Sequence, residues 1–253
     1  MAYKNTSDQA LPTAAGSDAT AVGYGATASG AQAIAFGLGA TASGASTVAL
    51  GDMAIATGPN ATAVGAQAIA SGFNSYAGGY QSSATGGNAV AVGSGSFASG
   101  QNALALGAGA SATAPNSVAL GAGSIANQPN TVSVGAPGAE RRITNVAAGV
   151  APTDAVNVSQ LNAVVYSTDQ RLALVSRQSR AGTAMGLAAA GLPQAFTAGK
   201  SLVAGAVGTY GGETSFAFGV SKIFDDGHTI LKGGVTVDTQ HTVGGNIGIG
   251  YQW

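Results

Sequence analysis

The hydrophobic pattern of this chain changes period twice, and each of the three stretches predicts a different element. Between residues 16 and 135, small and apolar residues alternate inside units of seven that read x-x-Ala-x-Ala-x-Gly, as at Ala33/Ala35, Ala40/Ala42, Ala61/Ala63 and Ala89/Ala91. Alternation with period two is strand spacing, so these alanines share one face of a short strand. Gly closes every unit from Gly16 to Gly107 and returns at Gly121 and Gly135, with Ala114 and Gln128 standing between. The opposite face follows a fourteen-residue rhythm. Every second unit carries aliphatic or aromatic pairs: Ile34/Phe36, Val48/Leu50, Val90/Val92, Leu104/Leu106, Val118/Leu120 and Val132/Val134. The units between carry mostly hydroxyls, as at Thr27/Ser29, Thr41/Ser43, Ser83/Thr85 and Ser111/Thr113.

One geometry satisfies both rhythms. Seven residues make a short strand and a Gly turn, and fourteen make one coil of a two-sided roll whose Ala faces meet inside. The hydroxyl sheet then faces water. The Val/Leu/Ile sheet forms an apolar ribbon far larger than a soluble monomer exposes, and each side chain buried there contributes about 1.5–3 kcal/mol. The simplest cover is another copy of the roll, so the six aliphatic pairs are expected at the axis of an oligomer. A coiled coil is disfavoured because Gly costs ~1 kcal/mol at a helix position. Collagen needs Gly every third residue. A calcium-binding roll needs a repeated Asp, whereas Asp52 is the only charge between Asp18 and Glu140. An ice-binding solenoid is an alternative, although no regular Thr-x-Thr ladder runs through the coils.

Beyond the charged joint Glu140-Arg141-Arg142, apolar residues take helical spacing: Val158, Leu161, Val165, Thr168, Leu172, Val175, Ser179, Gly182, Gly186, Ala189. Steps of three and four make an a/d seam. Its first half suits a parallel coiled coil; its second half tapers to residues small enough for helices packed in a narrow hole. After Leu192-Pro193 the period returns to two. Phe216, Phe218 and Val220 oppose Ser215, Ala217 and Gly219; Leu231, Val235 and Val237 oppose Lys232, Gly234 and Asp238; Val243, Ile247, Ile249, Tyr251 and Trp253 oppose Gly244, Asn246, Gly248, Gly250 and Gln252. A first strand is expected from about Lys200 to Tyr210, with its faces unassigned. Gly211-Gly212 and Asp225-Asp226-Gly227 read as hairpin turns.

Four strands with one apolar face match outer-membrane barrel strands, yet the smallest such barrels have about eight, and lipid tolerates no open edge. Several chains must share one barrel; three supply twelve strands. A trimer also suits the helical seam and the apolar ribbon.

Composition narrows the chemistry. Charged residues make up 8% of the chain and the net charge is −1, which leaves no basic footprint for nucleic acid. With no cysteine there is no disulfide framework. No segment suits a membrane-spanning helix, and MAYKNTSDQA lacks a signal's apolar core, so a chain bearing barrel strands is read as a mature or engineered form. His228 and His241 read as turn residues, with no third ligand or nucleophile beside them; no catalytic residue, metal or cofactor is expected. Ile55, Ile69, Phe97 and Ile125 are apolar on the water-facing sheet and are candidates for a weakly adhesive face. Arg141 and Arg142 are expected to form ion pairs between chains.

These motifs together resemble the trimeric autotransporter adhesins, the YadA-like surface proteins of Gram-negative bacteria. Asn116-Ser117-Val118-Ala119-Leu120-Gly121 is similar to the family's head motif N-S-V-A-I-G, with Leu120 in place of Ile. Residues 142–149 and 153–161 resemble its neck. Leu192-Pro193-Gln194, Gly208-Thr209-Tyr210-Gly211-Gly212 and Gly250-Tyr251-Gln252-Trp253 resemble its anchor. Ala181, Gly182, Thr183, Ala184 and Gly186 stand where the family has small residues in the pore helix.

The resemblance implies a mainly β fold with one long helix. It comprises an N-terminal segment (1–15), a trimeric left-handed parallel β-roll head (16–138), a neck (139–161), a short coiled-coil stalk and pore helix (162–192), and a share of a 12-stranded barrel (193–253). It also implies a homotrimer in outer-membrane lipid with its head at the cell surface, inserted by the barrel-assembly machinery that reads Trp253. The head would bind host matrix proteins such as collagen, or other cells, with residues 116–121 as one possible contact. The competing functions are a transport structure whose head is a spacer, and a soluble ligand- or ice-binding solenoid.

Overall fold

The computed structural model describes residues 10–253, so residues 1–9 of the expected N-terminal segment lie outside the described residues. The chain forms two compact units, Met1–Ile143 and Thr144–Trp253.

Fourteen residues make one coil of the first unit. Each strand pairs in parallel with the strand fourteen positions on, as Thr27↔Thr41 and Ile34↔Val48 show. Two nine-stranded sheets result among the described residues. One runs from Thr13–Ala14 to Ile125–Ala126, the other from Thr20–Val22 to Val132–Ser133. The first strand precedes Gly16 and falls within the segment expected before the roll. The glycine marks the turn after a strand, so the roll begins ahead of its first glycine.

The core is almost pure alanine. Ala28, Ala42 and Ala56 of one sheet and Ala35, Ala49 and Ala63 of the other are fully buried. Most hydroxyls in this core return their donor to the main chain: Thr47 Oγ1 donates to the Gly44 carbonyl at 2.7 Å and Ser117 Oγ to Ala114 at 2.7 Å. These buried hydroxyls are thereby reconciled with a dry interior, whereas the Ser75 hydroxyl has no partner.

The glycine column splits into two physical kinds. At Gly30, a Cβ would lie 1.9 Å from the Gly44 carbonyl oxygen of the next coil, so stacking itself forbids a side chain. At Gly37 the backbone also adopts φ +139°, a conformation that L side chains rarely take.

The second unit contains one helix, Val158–Ala190, and an antiparallel sheet with its strands in chain order: Ser201–Tyr210, Glu213–Ile223, Thr229–Asp238 and Val243–Tyr251. The expected seam residue Val158 is the first helical residue. Asn157 starts the helix with a capping box: its side chain accepts from the Gln160 backbone N–H while the Gln160 side chain accepts from the Asn157 N–H. Register fixes the faces of the first anchor strand. The pairs Ala206↔Ala217 and Gly208↔Ser215 place Ala204, Ala206 and Gly208 on the side of the buried residues, so Val203 and Val207 face away. The helix lies on that side with Ala181, Ala184 and Ala188 buried.

Candidate functional site

The expected apolar seam runs along one sheet of the roll. Ile34, Phe36, Leu50, Leu106, Leu120 and Val132 are exposed in the single chain, and Val48, Val90, Val92, Leu104, Val118 and Val134 are half-buried. Phe36 is 51% exposed although its neighbour Ala35 is fully buried, so one strand separates core from ribbon residue by residue. The ribbon is interrupted at Tyr76–Gly78, where a Cβ on Gly78 would lie 2.7 Å from Tyr76 Cε1. The tyrosine ring lies over the glycine and replaces its missing side chain.

On the second sheet Ile69, Phe97 and Ile125 are exposed and Ile55 is half-buried. Ser83 and Ser111 pair with Phe97 on either side. The apolar candidates therefore belong to one column that also holds hydroxyls.

The turns carry an unanticipated feature. Asn60, Asn74, Asn88, Asn102, Asn116 and Asn130 stack one per coil, and each Nδ2 donates to the next Oδ1 at 3.0–3.1 Å. All six have φ between 53° and 59°, the left-handed region that Asn tolerates well. Asn116, one of the expected ligand contacts, is thus a rung of a ladder. Within the same motif Ser117 and Ala119 are fully buried, Val118 and Leu120 lie on the seam sheet, and Gly121 packs under the Arg141 guanidinium, 3.2 Å from its Nη1 if a Cβ is added.

Arg141 hydrogen-bonds within its own roll. Nη1 donates to Ser124 Oγ at 2.8 Å and to the Val134 carbonyl at 2.6 Å, and Nη2 donates to the Ala122 carbonyl. The reason is the end of the repeat. In earlier coils the equivalent carbonyls accept from the next turn, as Ala108 does from Gly123 N–H. The residue due to serve Ala122 is Pro137, which has no N–H. Arg141 supplies the missing donor, and Arg142 is exposed.

In the neck, Gly149 is bracketed by one side chain: its N–H donates to Gln160 Oε1 and Gln160 Nε2 donates to its carbonyl, both at 2.9 Å. Asp154 Oδ2 accepts from the Val150 and Ala151 N–H groups, both at 2.9 Å. The Ala151 bond, then that of Val150, holds the Asp154 carboxyl below its usual range.

The anchor sheet presents a lipid-compatible outer face. Val203, Phe218, Val220, Val235, Ile247, Ile249 and Tyr251 are exposed, Ile249 at 78%, whereas Ser215, Ala217, Thr236 and Asp238 on the other face are buried. Of the small helix residues, Ala181 and Ala184 face the strands of their own chain, whereas Gly182, Thr183 and Gly186 are exposed. Glu213 gathers a polar cluster that sequence reasoning missed. It accepts from Thr239 Oγ1 at 2.7 Å and Gln240 Nε2 at 2.9 Å, with Arg177 Nε 3.7 Å away.

The expected hairpin turn holds His228. Asp226 Oδ1 accepts from the His228 and Thr229 N–H groups, and Oδ2 from the Thr229 hydroxyl at 2.7 Å. The Thr229 backbone bond, then its hydroxyl, then His228, lower the Asp226 pKa. His228 Nδ1 lies 2.8 Å from the Gln252 carbonyl, which ties the turn to the chain end. His241 lies in the next turn, and Trp253 is fully exposed.

A parallel roll with one apolar ribbon, a capped helix and a four-stranded sheet with one apolar face define a mainly β protein with a solenoid head and a separate sheet-and-helix unit. Comparison with known proteins gives the family. Residues 193–253 match a YadA-like membrane anchor domain, residues 142–184 the coiled stalk of trimeric autotransporter adhesins, and segments between residues 14 and 136 the YadA head domain repeat. The chain belongs to the YadA-like trimeric autotransporter adhesins, whose anchor lies in the outer membrane and whose head is displayed at the cell surface.

It is 44% identical over 112 residues to the autotransporter adhesin NhhA of Neisseria meningitidis serogroup B, covering 44% of this chain and 19% of that protein. It is 44% identical over 127 residues to the autotransporter adhesin EhaG of Escherichia coli O157:H7, covering 46% of this chain and 8% of that protein. The chain thus spans less than a fifth of the length of these curated relatives. The crystal structure of the collagen-binding domain of the Yersinia adhesin YadA is similar at 33% identity and a TM-score of 0.46, over 60% of this chain and 78% of that one.

Proposed function

We propose that this chain is a non-enzymatic homotrimeric adhesin that displays its head through a barrel built from three anchors. The observation that carries the reading is the apolar ribbon along one sheet of the roll. Exposed residues from Ile34 to Val132 form a face that water does not favour. The four anchor strands, too few for a closed barrel, ask for the same partners. Membrane lipid then covers the outer anchor face, and the barrel-assembly machinery acts on the chain end at Trp253. Binding to matrix proteins such as collagen, or to other cells, falls to the surfaces that the trimer leaves free. The Ile55, Ile69, Phe97 and Ile125 column is the leading candidate, with the exposed atoms of Asn116 from the head motif as the alternative. Three heads on one stem multiply weak contacts through avidity. Neither role calls for a metal, a cofactor or nucleic acid.

The test is adhesion of cells displaying the chain to immobilised matrix proteins, collagen included. Replacing Ile55, Ile69, Phe97 and Ile125 together by Ser is expected to reduce attachment severalfold with surface display unchanged. Attachment to no surface by the unaltered chain contradicts the adhesin reading and leaves the head as a spacer.

A further inference from the structure

The first half of the connector between the pore helix and the first anchor strand is held by two neighbouring side chains of the sheet. Lys232 Nζ donates to the Leu192 carbonyl at 2.9 Å. The Ala195 N–H donates to Ser221 Oγ at 2.7 Å. Ser221 and Lys232 are directly paired across the second and third anchor strands, so the two bonds issue from one spot on the helix-facing side. Between them sits Leu192, 4% exposed. Its Cδ1 occupies a socket made by another cross-strand pair, Gly219↔Gly234. A Cβ at either position would lie 2.8 Å or 3.1 Å from that methyl group.

This arrangement has two features that packing alone does not require. The last turn of the helix carries no basic residue, and the cation that complements its negative end comes from the sheet as Lys232. A lysine on a strand otherwise lined by small and polar residues is an expensive group to enclose unless it is bonded. The socket accepts one side chain at one height, because sliding the helix by a turn withdraws Leu192 from both glycines.

We infer that Leu192, Lys232 and Ser221 form a stop that fixes the axial position and rotation of the pore helix at the end of export. Lys232 and Ser221 are positioning residues. Leu192 is the bolt, and the Gly219/Gly234 pair its socket. While the chain passes outward the connector is drawn along the lumen, and export ends when Leu192 seats and the two bonds close. This inference rests on the shared-barrel reading for its role, while the clamp itself lies within one chain.

The chain has no cysteine, so a disulfide reports the seated state. A Cβ at Gly191 would stand 3.4 Å from Ala206 Cβ, close to the ~3.5–4.5 Å that a disulfide spans. Full-length chain carrying Gly191→Cys and Ala206→Cys is expressed behind a signal peptide, and oxidation is followed in outer membranes by loss of maleimide labelling. The parent pair is expected to close rapidly. Adding Lys232→Met and Ser221→Ala is expected to slow closure about tenfold, from the bonds lost, with the heat-resistant oligomer retained; Lys232→Arg restores much of the rate. Equal rates with and without the clamp overturn the inference. If the double replacement does not assemble, Ser221→Ala alone decides by the same comparison, since it removes a single oxygen. Absence of an oligomer in the parent sinks the shared barrel instead, and the intrachain disulfide still reports on the clamp.

Discussion

Gly208 faces Ala184 so closely that a Cβ on the glycine would lie 2.3 Å from the Ala184 carbonyl oxygen and 2.4 Å from Ala188 N. The pore helix and the first anchor strand are therefore in backbone contact, and the alanines at 181, 184 and 188 are the counterpart of that approach. Neither side can move without the rest of the helix. Gly208→Ala is expected to destabilise the anchor by about 1–3 kcal/mol, seen as a lower temperature for dissociation of the oligomer in detergent. Gly208→Val is expected to abolish it. An unchanged dissociation temperature for Gly208→Ala would mean that the helix is not seated against this strand.

The asparagine ladder makes a separable prediction. Asn88 accepts from Asn74 and donates to Asn102, and its φ is 56°. Asn88→Ala loses both bonds and keeps a Cβ in the left-handed region without the side-chain amide that makes it tolerable there, at up to about 1–2 kcal/mol for the conformation alone. Asn88→Gly loses the same bonds and avoids that strain. Thermal unfolding of the full chain followed by circular dichroism should rank wild type above Gly, and Gly above Ala. Ala equal to wild type would show the ladder to be ornamental.

Arg141 closes the open end of the roll. Arg141→Met leaves the Ala122 and Val134 carbonyls without their donors, and the last coil is expected to open first. Hydrogen exchange should rise at the amides of residues 122–135 and remain unchanged in the middle coils. Uniform exchange along the roll would contradict a capping role.

Asp154 and Asp226 make the turns around them acid-sensitive. Both carboxyls are held below their usual value by backbone N–H groups, Ala151 first for Asp154 and Thr229 first for Asp226. A depressed pKa means the folded state favours the carboxylate. The stabilisation is therefore complete above the usual Asp value of ~4 and is lost as pH falls through the lower folded value. Amide exchange at Val150 and Ala151, corrected for the intrinsic rate, should be constant from neutrality to about pH 4 and quicken below it. Quickening nearer neutrality would point to another group.

The repeat made the head legible because period two and period fourteen are both backbone facts. Ala faces, seam and coil length follow from them, and Ala35 beside Phe36 in the structure is what the pattern asks for. The alternation from Thr214 to Val220 likewise shows which side of the anchor sheet is apolar and exposed. Contacts between distant residues were harder to read. The asparagines at fourteen-residue spacing were visible, but the Gly and Ala columns occupied the same units and drew the eye. Pro137 was the signal for Arg141, legible only once the missing N–H is set against the hydrogen-bond pattern of earlier coils. The Lys232 bond to Leu192 joins residues forty apart, and alternation fixes which way the lysine points without saying what it meets. The faces of the first anchor strand needed its register with the second, because glycine occurs on both sides, as Gly205 and Gly208, and Leu202 lies among the small residues.

The most direct test is the number of chains in the assembled protein. Outer membranes from cells expressing the chain behind a signal peptide are run on a denaturing gel before and after harsh denaturation. The shared barrel predicts a band near three times the 24.1 kDa chain mass that collapses to one chain mass after denaturation. A monomer, or a soluble chain missing from the membrane fraction, would contradict it.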